Sequence, residues 1–186
     1  ILDPTQARAS EGSLGERRAR HVGFAKVHLG QIRLREIRTR QIRLQEPRMS
    51  QFVPAALRGV VQQRARRRCE YCLIHEDDAL LPHEPDHIIA VKHRGQTEAN
   101  NLGWACFLCN RLKGSDVASV DLETGQVVRL FNPRIDDWTT HFRLDEGRIV
   151  PLTAEGRVTE YLLQFNRPDN VCTRQFLIAV GRYPRQ

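Results

Sequence analysis

The sequence predicts a small α+β domain stapled by a metal ion, and three observations predict it. Two Cys-x-x-Cys pairs, Cys69/Cys72 and Cys106/Cys109, stand 33 residues apart. Around them, short apolar segments switch between helical and extended patterning. Later in the chain, glycines separate short runs of apolar residues. A chain of 186 residues suffices for one ordinary domain with appendages and is too short for two large ones.

Taken in order, the first element is a short helix after Met49. Val53, Leu57, Val60 and Val61 recur at i, i+4, i+7 and i+8, with Pro54 in the first turn and Arg64 to Arg68 at the basic end. Residues 79–104 lack long helical periodicity and hold Pro82, Pro85 and Gly95, which predicts strand, loop and strand, with His87-Ile88-Ile89-Ala90 in the first strand. A second helix is expected from Cys106 through Arg111 and Leu112 to Lys113, stopped by Gly114. Gly125 and Gly147, flanked by residues 127–130 and 148–150, predict hairpins. Residues 157–165 read as a helix that turns Tyr161, Leu162 and Phe165 to the core.

The formal charge is +7, which suggests a polyanionic partner, but it is unevenly spread. Residues 1–48 carry 11 Lys+Arg against 5 Asp+Glu, whereas residues 49–186 carry 18 against 17. The basic segment contains a five-residue repeat that spaces Ile32, Ile37 and Ile42 at neither the helical nor the strand period, so it presents no steady apolar face. Met49, the one methionine, directly precedes a sequence that reads as an ordered start. Residues 1–48 are therefore expected to be disordered or non-native, the other reading being an arm that tracks phosphates. No uncharged run of about 18 apolar residues and no leader pattern occurs, so a soluble, cytoplasmic protein is expected.

Five cysteines are too few and odd in number for a disulfide scaffold. Two Cys-x-x-Cys loops can instead put four thiolates around one ion, the closed tetrahedral shell of structural zinc, while a redox pair would need one loop and a thioredoxin-like setting that is missing. Cys172 stands apart and is expected to be a small buried hydrophobe.

Between the pairs lie Glu84-Pro85-Asp86-His87-Ile88-Ile89 and Asn100-Asn101-Leu102, and the second pair runs into Asn110-Arg111-Leu112-Lys113-Gly114. These residues, in this order, resemble the HNH endonuclease family, in its four-cysteine zinc subgroup, over about residues 66–116. The resemblance implies a ββα-metal (His-Me finger) core with a treble-clef-like knuckle pair. It implies that Asp86 and Asn110 hold one divalent ion, that His87 is the general base, and that Asn101 stabilises the loop and orients that base. It also implies DNA as partner and substrate. Asn110 stands where many members have His; an amide oxygen beside a carboxylate favours magnesium or manganese over zinc in the catalytic site. Ala90, where proline is common, and Arg94-Gly95, where two glycines are frequent, depart from the usual loop.

The residues support the same chemistry independently, because phosphodiester hydrolysis needs a base for water, a cation for developing charge, and groups that hold both in line. Adjacent strand residues point to opposite faces, which lets Asp86 and His87 serve different tasks. Glu84, two residues earlier, would share the Asp86 face. Arg111 and Lys113 could contact phosphates or be solvated cations, and a local patch at Arg64 to Arg68 could add to them. His75, His83 and His93 read as solvent-facing loop histidines. Further on, Leu130-Phe131-Asn132-Pro133-Arg134, Trp138, His141-Phe142, Thr153 and Gly156-Arg157 resemble an extension of some small bacterial HNH proteins. There Trp138 and Phe142 should seal a core, and Arg134 and Arg157 either line a DNA path or pair with Asp136, Asp137 or Glu160.

The expected organisation is thus residues 1–48 as the basic segment, 49–118 as the nuclease domain with its zinc staple, and 119–186 as a C-terminal hairpin-and-helix extension. The expected activity is metal-dependent DNA endonuclease. A zinc-stapled nucleic-acid-binding module that cuts nothing, and a protein-interaction scaffold, are the competing readings. Oligomeric state is not legible.

Overall fold

Helix α1, Ala55–Arg64, follows Pro54, whose missing N–H costs nothing at a helix start. The computed structural model describes residues 52–185, which lie in one unit, Gln45–Gln186; the basic segment and the Met49 start fall outside the described residues. Of the expected apolar face, Val61 is fully buried and Val53 and Leu57 pack beside Leu102 and Trp104, but Val60 points to solvent. A ten-residue helix seated on so small an apolar surface needs only the i and i+4 positions inward.

Among the described residues, besides three single 3-10 turns, the remaining elements are three two-stranded antiparallel ladders and four α-helices: β1 (Glu84–His87) with β2 (Leu102–Ala105), β3 (Ala118–Val120) with β4 (Val127–Arg129), β5 (Phe142–Asp145) with β6 (Arg148–Pro151), α2 (Phe107–Lys113), α3 (Trp138–His141), α4 (Ala154–Leu163) and α5 (Pro168–Ala179). The mixed α and β class and both late hairpins match expectation, with Gly125 and Gly147 at positive φ in their turns. Strand β1 ends at His87, so Ile88 to Ala90 begin the loop instead of extending the strand. Helix α4 ends two residues before Phe165; that ring is buried beyond the helix, and Tyr161 is exposed. Helix α5 was not legible, because Asp169, Asn170, Thr173 and Gln175 dilute its apolar period and only Leu177 and the Arg174 side chain are buried.

One apolar cluster joins the cysteine knuckles to the last third of the chain: Cys69, Tyr71, Cys72, Ala105, Cys106 and Cys109 pack with Phe131, Phe142, Ile149, Leu163 and Phe165. Phe142 is its centre, with ring centroids 5.2 Å from Trp138, 5.4 Å from Phe131 and 5.7 Å from Phe165. Trp138 and Phe142 therefore seal a core, as expected. Cys172, expected inside, is exposed on α5.

Arg134 and Arg157 are structural, though with other partners than expected: Arg134 pairs with Glu70, and Arg157 grips Asp121 through Nη2 at 2.7 Å and Nε at 2.9 Å. That bidentate contact, joined by the Thr124 hydroxyl, holds the buried Asp121 carboxyl well below the usual carboxylate range. A depressed carboxyl contributes stability that is present above its unfolded value, near about 4, and is lost as pH falls through the folded value. Asp121→Asn is accordingly expected to lower the melting temperature at neutral pH, with the gap to wild type closing below about pH 4. Parallel thermal melts across that range check it.

Candidate active site

The two knuckles bring four sulfurs together from opposite ends of the β1–β2 segment. At the first, Cys69 N–H donates to the Ile74 carbonyl, Leu73 N–H to the Cys69 carbonyl, and Leu73 adopts positive φ to close the turn. At the second, Cys106 caps α2, its Sγ accepting from Cys109 N–H at 3.4 Å. All four Sγ atoms lie within 4.8 Å of one another and are buried. Cys72 Sγ and Cys106 Sγ are 3.7 Å apart, too far for a disulfide and close to the edge of about 3.8 Å of a tetrahedron with metal–sulfur bonds of about 2.3 Å. Hydrogen bonds among the four thiols push Cys106 down and Cys72 and Cys109 up, and a cation at their centre would favour the thiolate in all of them. The cluster fits a metal such as zinc. One tightly held ion per chain is expected by metal analysis, and Cys106→Ser should both abolish it and lower the melting temperature.

Glu70 ties the first knuckle to the hairpin: its N–H donates to the Trp104 carbonyl and its carboxylate accepts from Trp104 N–H at 2.7 Å. In the β1–β2 register, Asp86 faces Gly103 and His87 faces Leu102. Strand β1, helix α2 and the start of α1 then enclose a cavity of about 410 Å³ lined by Glu84, Asp86, His87, Asn110 and Arg58, with Val53, Pro85, Ala90, Gly114 and Ser115 completing the wall. The expected site residues Asp86, His87 and Asn110 are thus brought together. Glu84 joins them, accepting from Asn110 Nδ2 at 3.3 Å. Strand β1 and helix α2 thus bring three oxygen-bearing side chains, Glu84, Asp86 and Asn110, to one cavity.

Asp86 is 4% exposed and already engaged. Tyr71 Oη donates to its Oδ2 at 2.8 Å, and Lys113 Nζ lies 3.0 Å from Oδ2 and 3.2 Å from Oδ1. Burial pushes the Asp86 carboxyl up, and the ammonium and the phenol oppose that shift. Lys113, expected as a phosphate contact, is therefore corrected: its ammonium is 2% exposed and also donates to the His87 carbonyl at 2.8 Å. Arg111 is exposed over the Phe107 ring and does not line the cavity. In the basic patch, Arg64 donates to the carbonyls of Ala99 and Leu102, and Arg67 pairs with Glu76 and Asp77, so both are structural.

His87 is 4% exposed, and its Nε2 lies 2.9 Å from Thr97 Oγ1. Burial, with the Lys113 charge behind it, holds the imidazole below the usual histidine value and keeps it neutral near pH 7. Asn101 makes no hydrogen bond to the ring. Its Oδ1 accepts from Ile89 N–H, and its Nδ2 donates to the carbonyls of Ile89 and Gln96, each at 2.9 Å. It stitches shut the loop that carries Thr97. Gly95 is needed there, since a Cβ would meet the Ile89 carbonyl oxygen at 1.7 Å and Asn101 Nδ2 at 2.7 Å. Asn101→Ala is expected to leave about three backbone groups short of partners and to speed amide exchange across residues 88–97, with the knuckles unchanged; exchange mass spectrometry reads this.

Sequence reasoning missed Tyr71, Thr97 and Arg58. Tyr71 carries a signal in hindsight, an aromatic between two metal-type cysteines, whereas Thr97 sits in a polar loop with none. The loop histidines were misplaced: His75 and His83 are buried, His83 with Nε2 3.0 Å from the Ile74 carbonyl, and His93 alone is exposed. No helix among the described residues is long and apolar enough to cross a membrane.

Comparison with known proteins agrees with this geometry where it reaches. Residues 69–116 match the family HNH endonuclease, a span that opens at the first knuckle cysteine and closes just past α2. No curated protein and no solved structure matches the chain. The segment 69–116 is thus similar to HNH endonucleases, and its four clustered cysteines are consistent with the zinc-type members of that family.

Proposed function

We propose that this protein is a metal-dependent endonuclease that hydrolyses DNA phosphodiester bonds, built as a ββα-metal core on a structural zinc staple with residues 119–186 as its extension. The observation that carries the reading is that Glu84, Asp86, His87 and Asn110, all from the segment that matches the HNH family, line one cavity.

In this mechanism His87 takes the proton from a water entering the cavity, and the histidine stays neutral for that task because it is buried beside the Lys113 charge. The Thr97 hydroxyl fixes the ring, and Asn101 fixes Thr97 through the loop. Asp86 and Asn110, with Glu84 beside them, would hold the catalytic ion; their oxygen donors suit magnesium or manganese. When bound, that ion supplies charge for the phosphate and the leaving oxygen. Helix α2 carries Asn110 directly after Cys109, so the zinc staple sets where the amide stands. A second reading is favoured by one contact: Lys113 already neutralises Asp86, as it would in a module that binds nucleic acid without cutting it.

Nicking of supercoiled plasmid with magnesium or manganese separates the two. Wild type is expected to nick, and His87→Ala to lose at least about 100-fold in rate, the contribution of a positioned base. Equal nicking by both proteins would sink the mechanism, and no cleavage by a zinc-loaded wild type would favour the binding module.

A further inference from the structure

The cavity has one cation on its wall among the described residues, and it comes from outside the family-matched span. Arg58 sits one turn into α1, is exposed, and lines the same cavity as Asp86, His87 and Asn110. Its guanidinium carbon lies 5.8 Å from the centroid of the Trp104 ring. The indole is a rigid seat, being 2% exposed and donating Nε1–H to Glu76 at 3.2 Å. At that distance the cation is within reach of the ring's negative face. The guanidinium has no ion pair or hydrogen bond with any described side chain. The other basic candidates are spent or elsewhere, with Lys113 on Asp86, Arg64 on backbone carbonyls, Arg67 on Glu76, and Arg111 away from the cavity wall.

We propose that Arg58 is the phosphate-binding residue of this cavity, its guanidinium edge taking the nonbridging oxygens of a DNA backbone phosphate as the strand enters. A planar fork with five donors matches phosphate geometry, and a charge held on a buried ring needs little reordering to engage. The inference rests on the nuclease reading for what the cavity does, but it makes a binding claim of its own.

The test is a salt titration of binding to a labelled DNA duplex, by fluorescence anisotropy. Full-length protein carrying His87→Ala is used with magnesium present, so that the DNA stays intact and the zinc is not stripped. Against this background, Arg58→Ala and Arg58→Gln are expected to weaken binding about tenfold at low salt. Both should reduce the slope of log affinity against log salt by about 0.9, the loss of one phosphate contact. Arg58→Lys should keep the slope, and Arg111→Ala should leave slope and affinity unchanged. Arg58→Gln retains bulk on Trp104, so it serves where Arg58→Ala fails to fold. An unchanged slope for Arg58→Gln, in a protein that melts like its parent, overturns the proposal, as does a wild-type chain that binds no DNA. Nicking by the unsubstituted protein together with an unchanged Arg58→Gln slope would sink this inference alone, whereas an Arg58-dependent slope in a protein that nicks nothing would sink the nuclease reading and leave Arg58 standing.

Discussion

Four cysteine sulfurs gathered within 4.8 Å are the constraint on which the rest of the structure depends. The described strands are three or four residues long and pair only in twos, so no sheet is large enough to be stable by itself. What holds the β1–β2 segment is closure at both of its ends, where Cys69 and Cys72 enter before β1 and Cys106 and Cys109 leave after β2. The same sulfurs pack on Phe131, Phe142, Leu163 and Phe165, so the knuckles also anchor the last third of the chain. A metal at this point would stabilise the hairpin, α2 and the aromatic core together.

The second constraint is electrostatic. Asp86 lies almost out of water, and an uncompensated carboxylate there would be prohibitively costly. Lys113 is the compensation, reached from the last turn of α2, and its third contact, with the His87 carbonyl, draws helix and strand together at the acid–histidine pair. Removing one partner from a buried pair of this kind costs about 3–5 kcal/mol. The lysine is therefore fixed by the acid's burial, which explains why it is unavailable to a phosphate. Its charge also adds to burial in keeping the His87 imidazole neutral.

Much of this was legible in the sequence because local chemistry carried it. The Cys-x-x-Cys spacing pointed to the cysteine cluster, Cys106 and Gly114 bracketed α2, and Gly125 and Gly147 placed the late hairpins. What was not legible depended on burial or on distant partners. Nothing local tells a solvated Lys113 from one inserted beside a carboxylate 27 residues away, or gives Arg134 to Glu70 rather than to a neighbouring Asp. Period-based readings overreached for the same reason: Val60 and Tyr161 obey the helical spacing but face solvent, because α1 buries only Val61 and α4 turns Val158, Thr159 and Leu163 inward instead. Loop histidines were read as solvated, yet His83 is held by a backbone carbonyl that only the folded knuckle brings near.

The placement of α1 shows how a short family segment depends on what precedes it. The match opens at Cys69, but Trp104 within it needs an apolar cover, and Val61, Ala65, Val53 and Leu57 supply that cover. Arg64 locks the arrangement by donating to the carbonyls of Ala99 and Leu102, the residues on either side of the β2 entrance. Once the helix is seated on Trp104, one of its outward residues must face the cavity, and here that residue is Arg58. The cavity at Asp86, His87 and Asn110 is thus framed by residues outside the family-matched span. Changes along the exposed side of α1 can alter the mouth of the cavity without disturbing the cysteine cluster or the Asp86–Lys113 pair.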